Sequence, residues 1–168
     1  VAAALAQLAG DVICLQEVDC PLEELGLPDK DFDSVHAQRP DGRCDRCVIA
    51  WRRDRLEMGP AGWIEIRFDD HPPPAFHRSP SDYASGDVGL AVELQFRKDA
   101  GRRCITICTT HLCWQPHKAD VQKWQLHTLD DEAKNLGGRQ AKNKRVVICG
   151  DMNATPGSDP VKYISTAC

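Results

Sequence analysis

Asp11-Val-Ile-Cys-Leu-Gln-Glu-Val18, Arg103-Cys-Ile-Thr-Ile-Cys-Thr-Thr-His-Leu112 and Arg145-Val-Val-Ile-Cys-Gly-Asp-Met-Asn153 decide how this chain reads. Each opens on a short apolar run rich in β-branched residues, the pattern of a buried strand. Each run then gives way to polar chemistry: Glu17, His111, and Asp151 with Asn153. A sheet protein can gather polar groups just past its strand ends without burying them unpaired. A carboxylate, an imidazole, a second carboxylate and an amide suit a hard divalent metal and a phosphate ester.

Outward from these segments, the pattern alternates. Further strands are expected over 32–37, 46–52, 63–68 and 88–96, besides those over 11–15, 103–109 and 145–149. Helices are expected over 1–9, closed by Gly10, over 20–27 with Pro21 in its first turn, and over 119–136. In the last of these, Val121, Trp124, Gln125, Thr128 and Leu129 fall on one face. Ser158 is a suitable N-cap for a final helix through residue 164. Residues 69–86, rich in Pro, Ser and Asp, read as a mobile insertion loop. With no repeat and no interior linker, residues 1–168 read as one domain.

The chain has 168 residues and is 42% hydrophobic, enough for one domain with a true core. A formal charge of −4 argues against a general polyanion binder. It leaves room for a nucleic-acid enzyme, because a metal site needs local carboxylates and brings its own positive charge. No apolar run approaches a membrane span, so no membrane partner is expected. Residues 1–9 read as an amphipathic helix rather than a leader peptide. Nine cysteines is an odd number. Cys14, Cys104, Cys108 and Cys149 fall inside expected strands, as reduced core residues of a cytosolic, or alternatively nuclear, protein would.

Magnesium takes oxygen ligands, keeps several waters and is usually held by one or two carboxylates plus substrate phosphate. Glu17 suits a direct ligand. Asp151 either completes the metal site or orients and deprotonates an attacking water. Asn153 can donate hydrogen bonds without adding charge, and His111 can donate to a phosphate oxygen as charge builds there. Taken singly, each motif has an ordinary reading as an exposed acid, a structural histidine or a turn. Their ordered recurrence after three apolar runs carries the argument. Cys44-Asp-Arg-Cys47 has half of a zinc-knuckle spacing with no second pair, so structural zinc is disfavoured. Lys142-Asn-Lys-Arg145, with Arg139, reads as a solvated basic loop or a phosphate-backbone contact. His71 and His77 read as loop residues without chemistry.

Gln16-Glu17, Thr110-His111-Leu112 and Gly150-Asp151-Met152-Asn153 resemble the signatures of the endonuclease/exonuclease/phosphatase superfamily. The resemblance implies an α/β fold: a two-sheet β-sandwich flanked by helices, in four α/β/β/α layers. It also implies a magnesium-dependent phosphoesterase, with manganese as an alternative ion. The stretches 11–19 and 111–125 are most similar to CCR4-type deadenylases, and more loosely to nocturnin and the 2′,5′-phosphodiesterases. By that resemblance Glu17 is the metal ligand, His111 a phosphate contact, and Asp151 with Asn153 handle water and phosphate. Pro116 would pack against a substrate base, and Trp114 would either stack on a base or anchor its loop. The implied partner is RNA or a nucleotide phosphate. Expected activity is a 3′-exonuclease on poly(A)-like RNA. Alternatives are a 2′,5′-phosphodiesterase, a nucleotide 2′-phosphatase of nocturnin type, and a non-catalytic interaction module.

The chain departs from the family pattern in three places. No Asn-bearing strand precedes residue 11, and no Asp-His segment follows residue 153. Asp87 stands where relatives often carry Asn, just before the strand at Val88. The expectation is therefore a domain truncated at both ends, inactive by itself.

Overall fold

A computed structural model describes residues 1–40, 42–73, 79–99, 103–138 and 145–167. His77, Arg139 and Lys142–Lys144 lie outside the described residues, and with them most of the basic patch. Helix α1 spans Ala2–Leu8, and strands β1, β2 and β3 span Val12–Val18, Phe32–Gln38 and Arg46–Arg52. They form a three-stranded antiparallel sheet in the order β1-β3-β2. Strands β4 (Leu56–Arg67), β5 (Val88–Phe96), β6 (Cys104–His111) and β7 (Val146–Asp151) form a second sheet in that order. Among the described residues only β6 and β7 run parallel, and helix α3 (Ala119–Asn135) makes the crossover that parallel neighbours require. A short helix α2 (Pro80–Tyr83) and a terminal helix α4 (Asp159–Ala167) complete the chain.

Strand β5 explains why two layers form. One face is wholly apolar, the other combines Gly89 and Ala91 with Glu93 and Gln95, and all but its last residue are buried. Val88, Leu90, Val92 and Leu94 face Val35, Ala37, Cys47, Ile49 and Trp51 of the first sheet, making the core between the sheets. Ala91, with Cys108 of β6, turns the other way and packs against Val121, Trp124, Leu129 and Ala133 of α3. Alternation in β5 thus glues one sheet to two different layers. The result is two sheets with flanking helices, as the family resemblance implies.

Several expected boundaries move. The strand expected over 63–68 runs from Leu56, with an irregularity between Met58 and Trp63. There the buried Glu93 carboxylate accepts the Ala61 N–H at 3.0 Å, supporting the irregular segment. Residues 20–27 form only a 3₁₀ turn over Leu22–Leu25. Ala9, with φ 46°, takes the left-handed cap expected of Gly10. Ser158 precedes α4 and its carbonyl accepts the Lys162 N–H, but its hydroxyl makes no cap bond.

The expected insertion loop 69–86 is largely built into the fold over its described parts. Phe68–Asp70 is a 3₁₀ turn, and α2 opens with a capping box between Ser79 and Asp82. The Asp69 carboxylate accepts the Ser85 and Gly86 N–H groups, each at 3.1 Å. Phe68 and Tyr83 are buried against Trp124, Tyr83 edge-on at 5.2 Å. Local polarity suggests mobility here, but Tyr83, with Phe68 just ahead of the segment, ties it to Trp124 of α3.

The eight described cysteines are free thiols. Cys44 is exposed whereas Cys47 is buried with its Sγ 4.0 Å from the Val88 carbonyl, so the pair does not form half of a metal knuckle. Burial pushes the Cys47 thiol from 9.0 up to about 12, and burial beside the Cys149 thiol pushes Cys14 up as well. The folded state therefore holds the Cys47 proton more tightly than the unfolded chain. Stability from this source is complete below pH 9 and is lost as pH rises toward about 12. Folded protein treated with iodoacetamide at pH 8 should be alkylated at Cys44 and not at Cys47 or Cys14, read by peptide mass spectrometry. Modification of Cys47 at a rate equal to Cys44 would contradict this.

Candidate active site

Three strand ends meet at one end of the sandwich. Register places His111, the last residue of β6, beside Asp151, the last residue of β7. That adjacency depends on Gly150, whose φ is 148° and whose position leaves no room for a side chain. A Cβ there would lie 2.2 Å from the Thr110 carbonyl oxygen. The next backbone bond, from Leu112 N–H to the Asp151 carbonyl at 3.0 Å, carries the pairing past the strand ends.

Strand β1 reaches the same point from the other sheet. Its ladder with β3 shifts between Leu15 and Val18, so that Gln16 and Glu17 together oppose Cys47. Gln16 then points across the sandwich and donates from Nε2 to Thr109 Oγ1 at 2.8 Å. Glu17 takes the extra place in the bulge with φ 56°, a left-handed conformation costly for a residue with a side chain. Arg46 braces the exit by donating to the Val18 carbonyl at 3.4 Å and the Cys20 carbonyl at 3.0 Å.

His111 consequently lies between two carboxylates. Its Nδ1 is 3.8 Å from Glu17 Oε1, and its Nε2 is 3.9 Å from Asp151 Oδ2. These spacings exceed a hydrogen bond, and Nδ1 is buried without a hydrogen-bond partner. The imidazole is 12% exposed, whereas Glu17 and Asp151 are 72% and 56% exposed. Among the described residues neither carboxylate pairs with a lysine or arginine. Two open carboxylates over a sunken imidazole make a local negative ledge on which cations concentrate.

The donor set fits magnesium. Glu17 and Asp151 supply hard oxygen atoms and leave the remaining positions to water and phosphate, which is how that ion is usually held. Among the described residues no group of three His, Cys, Asp or Glu side chains gathers at metal-binding spacing. Two carboxylates are therefore the contribution to expect from this ledge.

Asn153 sits in the same cluster with φ 47°, a second strained residue at the site. Its N–H donates to Asp151 Oδ1 at 2.9 Å and its Nδ2 donates to the Leu112 carbonyl at 2.8 Å. One side-chain N–H is thus committed to the loop after β6, which leaves the other for a further acceptor. Trp114 and Pro116 follow in that loop, and both are exposed, Trp114 to 70%. Trp114 does not anchor its loop in the core.

Two further differences concern strand burial. Glu17 lies inside β1, and His111 and Asp151 are terminal residues of their strands rather than residues just past them. Among the described residues β6 is largely buried, whereas β1 and β7 are half-buried.

Sequence reasoning missed a set of buried polar groups behind the site. Arg39, Asp87, Gln122 and Gln125 are all buried, and all are hydrogen-bonded. A buried glutamine at helical spacing looks like any member of an apolar face until its partners are visible. The signal available was the presence of two amides, Gln122 and Gln125, along the inward side of α3.

Residues 1–167 match the Endonuclease/Exonuclease/phosphatase family, and the chain belongs to that family. Among curated proteins it is 25% identical to carbon catabolite repressor protein 4 homolog 3 of Arabidopsis thaliana, over 97% of this chain and 34% of that protein. It is 29% identical to protein angel homolog 2 of Mus musculus, over 92% of this chain and 28% of that protein. The chain thus spans about a third of the length of these relatives. The human nocturnin catalytic domain with bound sulfate has the same fold, with a TM-score of 0.78 at 19% identity, covering 98% of this chain and 59% of that one. So does ANGEL2, a 2′,3′-cyclic phosphatase solved with adenosine-2′,3′-vanadate, with a TM-score of 0.75 at 23% identity over 97% and 45% of the two chains.

Two outcomes follow from the strained backbone. Glu17→Gly should raise stability by about 1 kcal/mol, because glycine adopts the left-handed conformation freely. Urea unfolding would read the effect; a loss of stability would show that φ 56° carries no strain. Gly150→Ala should destabilise the chain by at least about 2 kcal/mol. Hydrogen exchange should localise the damage to the β6–β7 ends, and uniform loosening elsewhere would argue against the close-approach explanation.

Proposed function

We propose that this chain carries the site of a magnesium-dependent phosphodiesterase acting as a 3′-exonuclease on RNA. The observation supporting this reading most directly is His111 held between the Glu17 and Asp151 carboxylates at the open end of the sandwich. In this proposal Glu17 and Asp151 would hold magnesium, which supplies Lewis-acid neutralisation of phosphate charge. Asp151 also orients an attacking water and accepts its proton. His111 donates from Nε2 to a non-bridging phosphate oxygen, stabilising the charge that grows in the transition state. Asn153 positions Asp151 through its backbone N–H and keeps one side-chain N–H for phosphate.

Family membership and the likeness to carbon catabolite repressor protein 4 homologues support the RNA reading. Pro116 supports it further, as an exposed apolar surface of fixed φ five residues beyond His111. Trp114 offers an exposed ring on which a base can stack, worth about 1–3 kcal/mol per base. The likeness to ANGEL2 favours a second substrate, a ribose 2′,3′-cyclic phosphate, which the same ledge would also accommodate. Cytosolic residence, with the nucleus as the alternative, belongs to the same proposal, supported by the free thiols among the described cysteines.

The test is cleavage of 3′-terminal poly(A) RNA by the full-length protein. Activity should require magnesium, vanish in chelator, and be abolished by Glu17→Ala or Asp151→Ala without loss of fold. His111→Ala should lower turnover about 10²–10³-fold, the loss expected for one transition-state donor. Pro116→Ala should weaken RNA shortening more than hydrolysis of a small phosphate ester. Robust opening of a 2′,3′-cyclic phosphate with no action on poly(A) would replace the exonuclease reading, and turnover unchanged in chelator would remove the metal.

A further inference from the structure

Behind the ledge runs a line of buried and part-buried hydrogen bonds. The Arg39 guanidinium donates from Nε to Asp45 Oδ2 at 3.0 Å and also to Asp87 Oδ1. The second Asp87 oxygen, Oδ2, accepts from Gln125 Nε2 at 3.1 Å. Gln125 Nε2 also donates to Ser85 Oγ at 3.1 Å, so both of its amide hydrogens are taken. Its Oε1 accepts the Cys113 N–H at 3.0 Å. One turn earlier on α3, Gln122 Nε2 donates to the Cys113 carbonyl at 2.7 Å and to the Asn153 carbonyl at 3.0 Å. The Leu112 carbonyl between them receives Asn153 Nδ2 at 2.8 Å.

We propose that Arg39, Asp87 and Gln125 are positioning residues that set the placement of His111 and Asn153 by fixing the Leu112-Cys113 peptide segment. The functional half of this inference rests on the phosphodiesterase reading of the site; the structural half does not. The logic lies in donor and acceptor counting. A glutamine amide can face Cys113 with either its oxygen or its NH₂, and only the oxygen satisfies an N–H. A carboxylate accepts and never donates when ionised, so Asp87 leaves Gln125 a single orientation. An asparagine at position 87 would impose the opposite choice: with its oxygen on Arg39, its NH₂ would meet the Gln125 oxygen and turn the amide round. Burying the carboxylate is costly unless it is paired, and Arg39 provides the pairing. Arg39 in turn follows the end of β2, at the same sandwich end as Glu17, His111 and Asp151.

This assigns the departure at position 87 a consequence. With Oδ1 on Arg39 and Oδ2 on Gln125, Asp87 is buried and committed on both oxygens. It serves the loop rather than a substrate.

The test is a charge-conserving exchange. Asp87→Asn alone lets Gln125 turn and leaves the Cys113 N–H facing a donor. Gln125→Glu alone sets two carboxylates against each other. The double variant restores the pattern reversed. The amide now at position 87 would accept from Arg39 and donate to the carboxylate at position 125, and that carboxylate would accept the Cys113 N–H. Two readouts are taken on isotopically labelled chain by nuclear magnetic resonance: hydrogen exchange at the Cys113 amide, and the side-chain NH₂ signals of Asn153.

Asp87→Asn should speed Cys113 exchange about tenfold or more, since a buried donor loses its acceptor, and Gln125→Glu should speed it as well, since repulsion from Asp87 drives the carboxylate off the Cys113 N–H; both should shift the Asn153 NH₂ signals. The double variant should return both to within about threefold of the original exchange rate and to the original shifts. Should either single variant fail to fold, a folded double variant with original signals supports the proposal. A double variant that stays perturbed, or that also fails to fold, overturns it. Asn153 signals unmoved in single variants whose Cys113 exchange has risen would overturn the positioning role, because the line would then end at Cys113.

Turnover of RNA by the full-length protein, unsubstituted and carrying each variant, supplies the functional arm. The single variants should lower kcat with KM unchanged, and the double variant should recover kcat. Recovery of the resonances without recovery of kcat would overturn the catalytic relevance of the relay. Absence of turnover in the unsubstituted protein, with the resonance pattern as expected, would instead refute the phosphodiesterase reading and leave the relay standing.

Discussion

The parallel pairing of β6 with β7 is the contact on which the site depends. Parallel neighbours need a long crossover, and α3 makes it while covering the outer face of the second sheet. The same helix therefore closes the core and brings His111 and Asp151 side by side, although 40 positions separate them in the chain. Gly150 is where the two requirements meet. Any side chain at that position would strike the Thr110 carbonyl, so the close approach of the two strands and the identity of one residue are a single constraint.

Around that contact the polypeptide holds conformations that are unfavourable in isolation. Glu17 and Asn153 both have left-handed backbones. Such residues persist when surrounding bonds over-determine them, and here those bonds are visible. Gln16 ties the bulge to Thr109, Arg46 ties its exit to two carbonyls, and Asn153 is held at its N–H, its carbonyl and its side chain. Stability is given up locally to aim side chains, and the buried polar line from Arg39 to Cys113 supports the loop that links them. A site of this kind is sensitive to changes well behind its visible surface.

Likeness to known proteins bears differently on fold and on chemistry. The solved relatives share the architecture at under 25% identity, so they speak for the fold. The strand-end motifs are the local features common to the family reading. Between them, the chain holds an arginine-paired aspartate at position 87, an aromatic clasp of Phe68 and Tyr83 on Trp124, and an exposed Trp114.

What the amino-acid order determined by itself was periodicity and local chemistry. Alternation and β-branching located the strands, the spacing along α3 identified its buried face, and three polar groups behind apolar runs marked the candidate site. These are short-range properties, readable because a strand or helix displays its burial in its own residues. Tertiary structure alone decided which strands become neighbours, and so which carboxylates flank His111. It also decided that Glu17 sits in a bulge, and that Gln125 is a hydrogen-bonding element rather than a facial residue. Each of these depends on a partner far away in sequence. Hydrogen-bond satisfaction, close approach and strand order are set by pairs of residues, and no single segment carries that information.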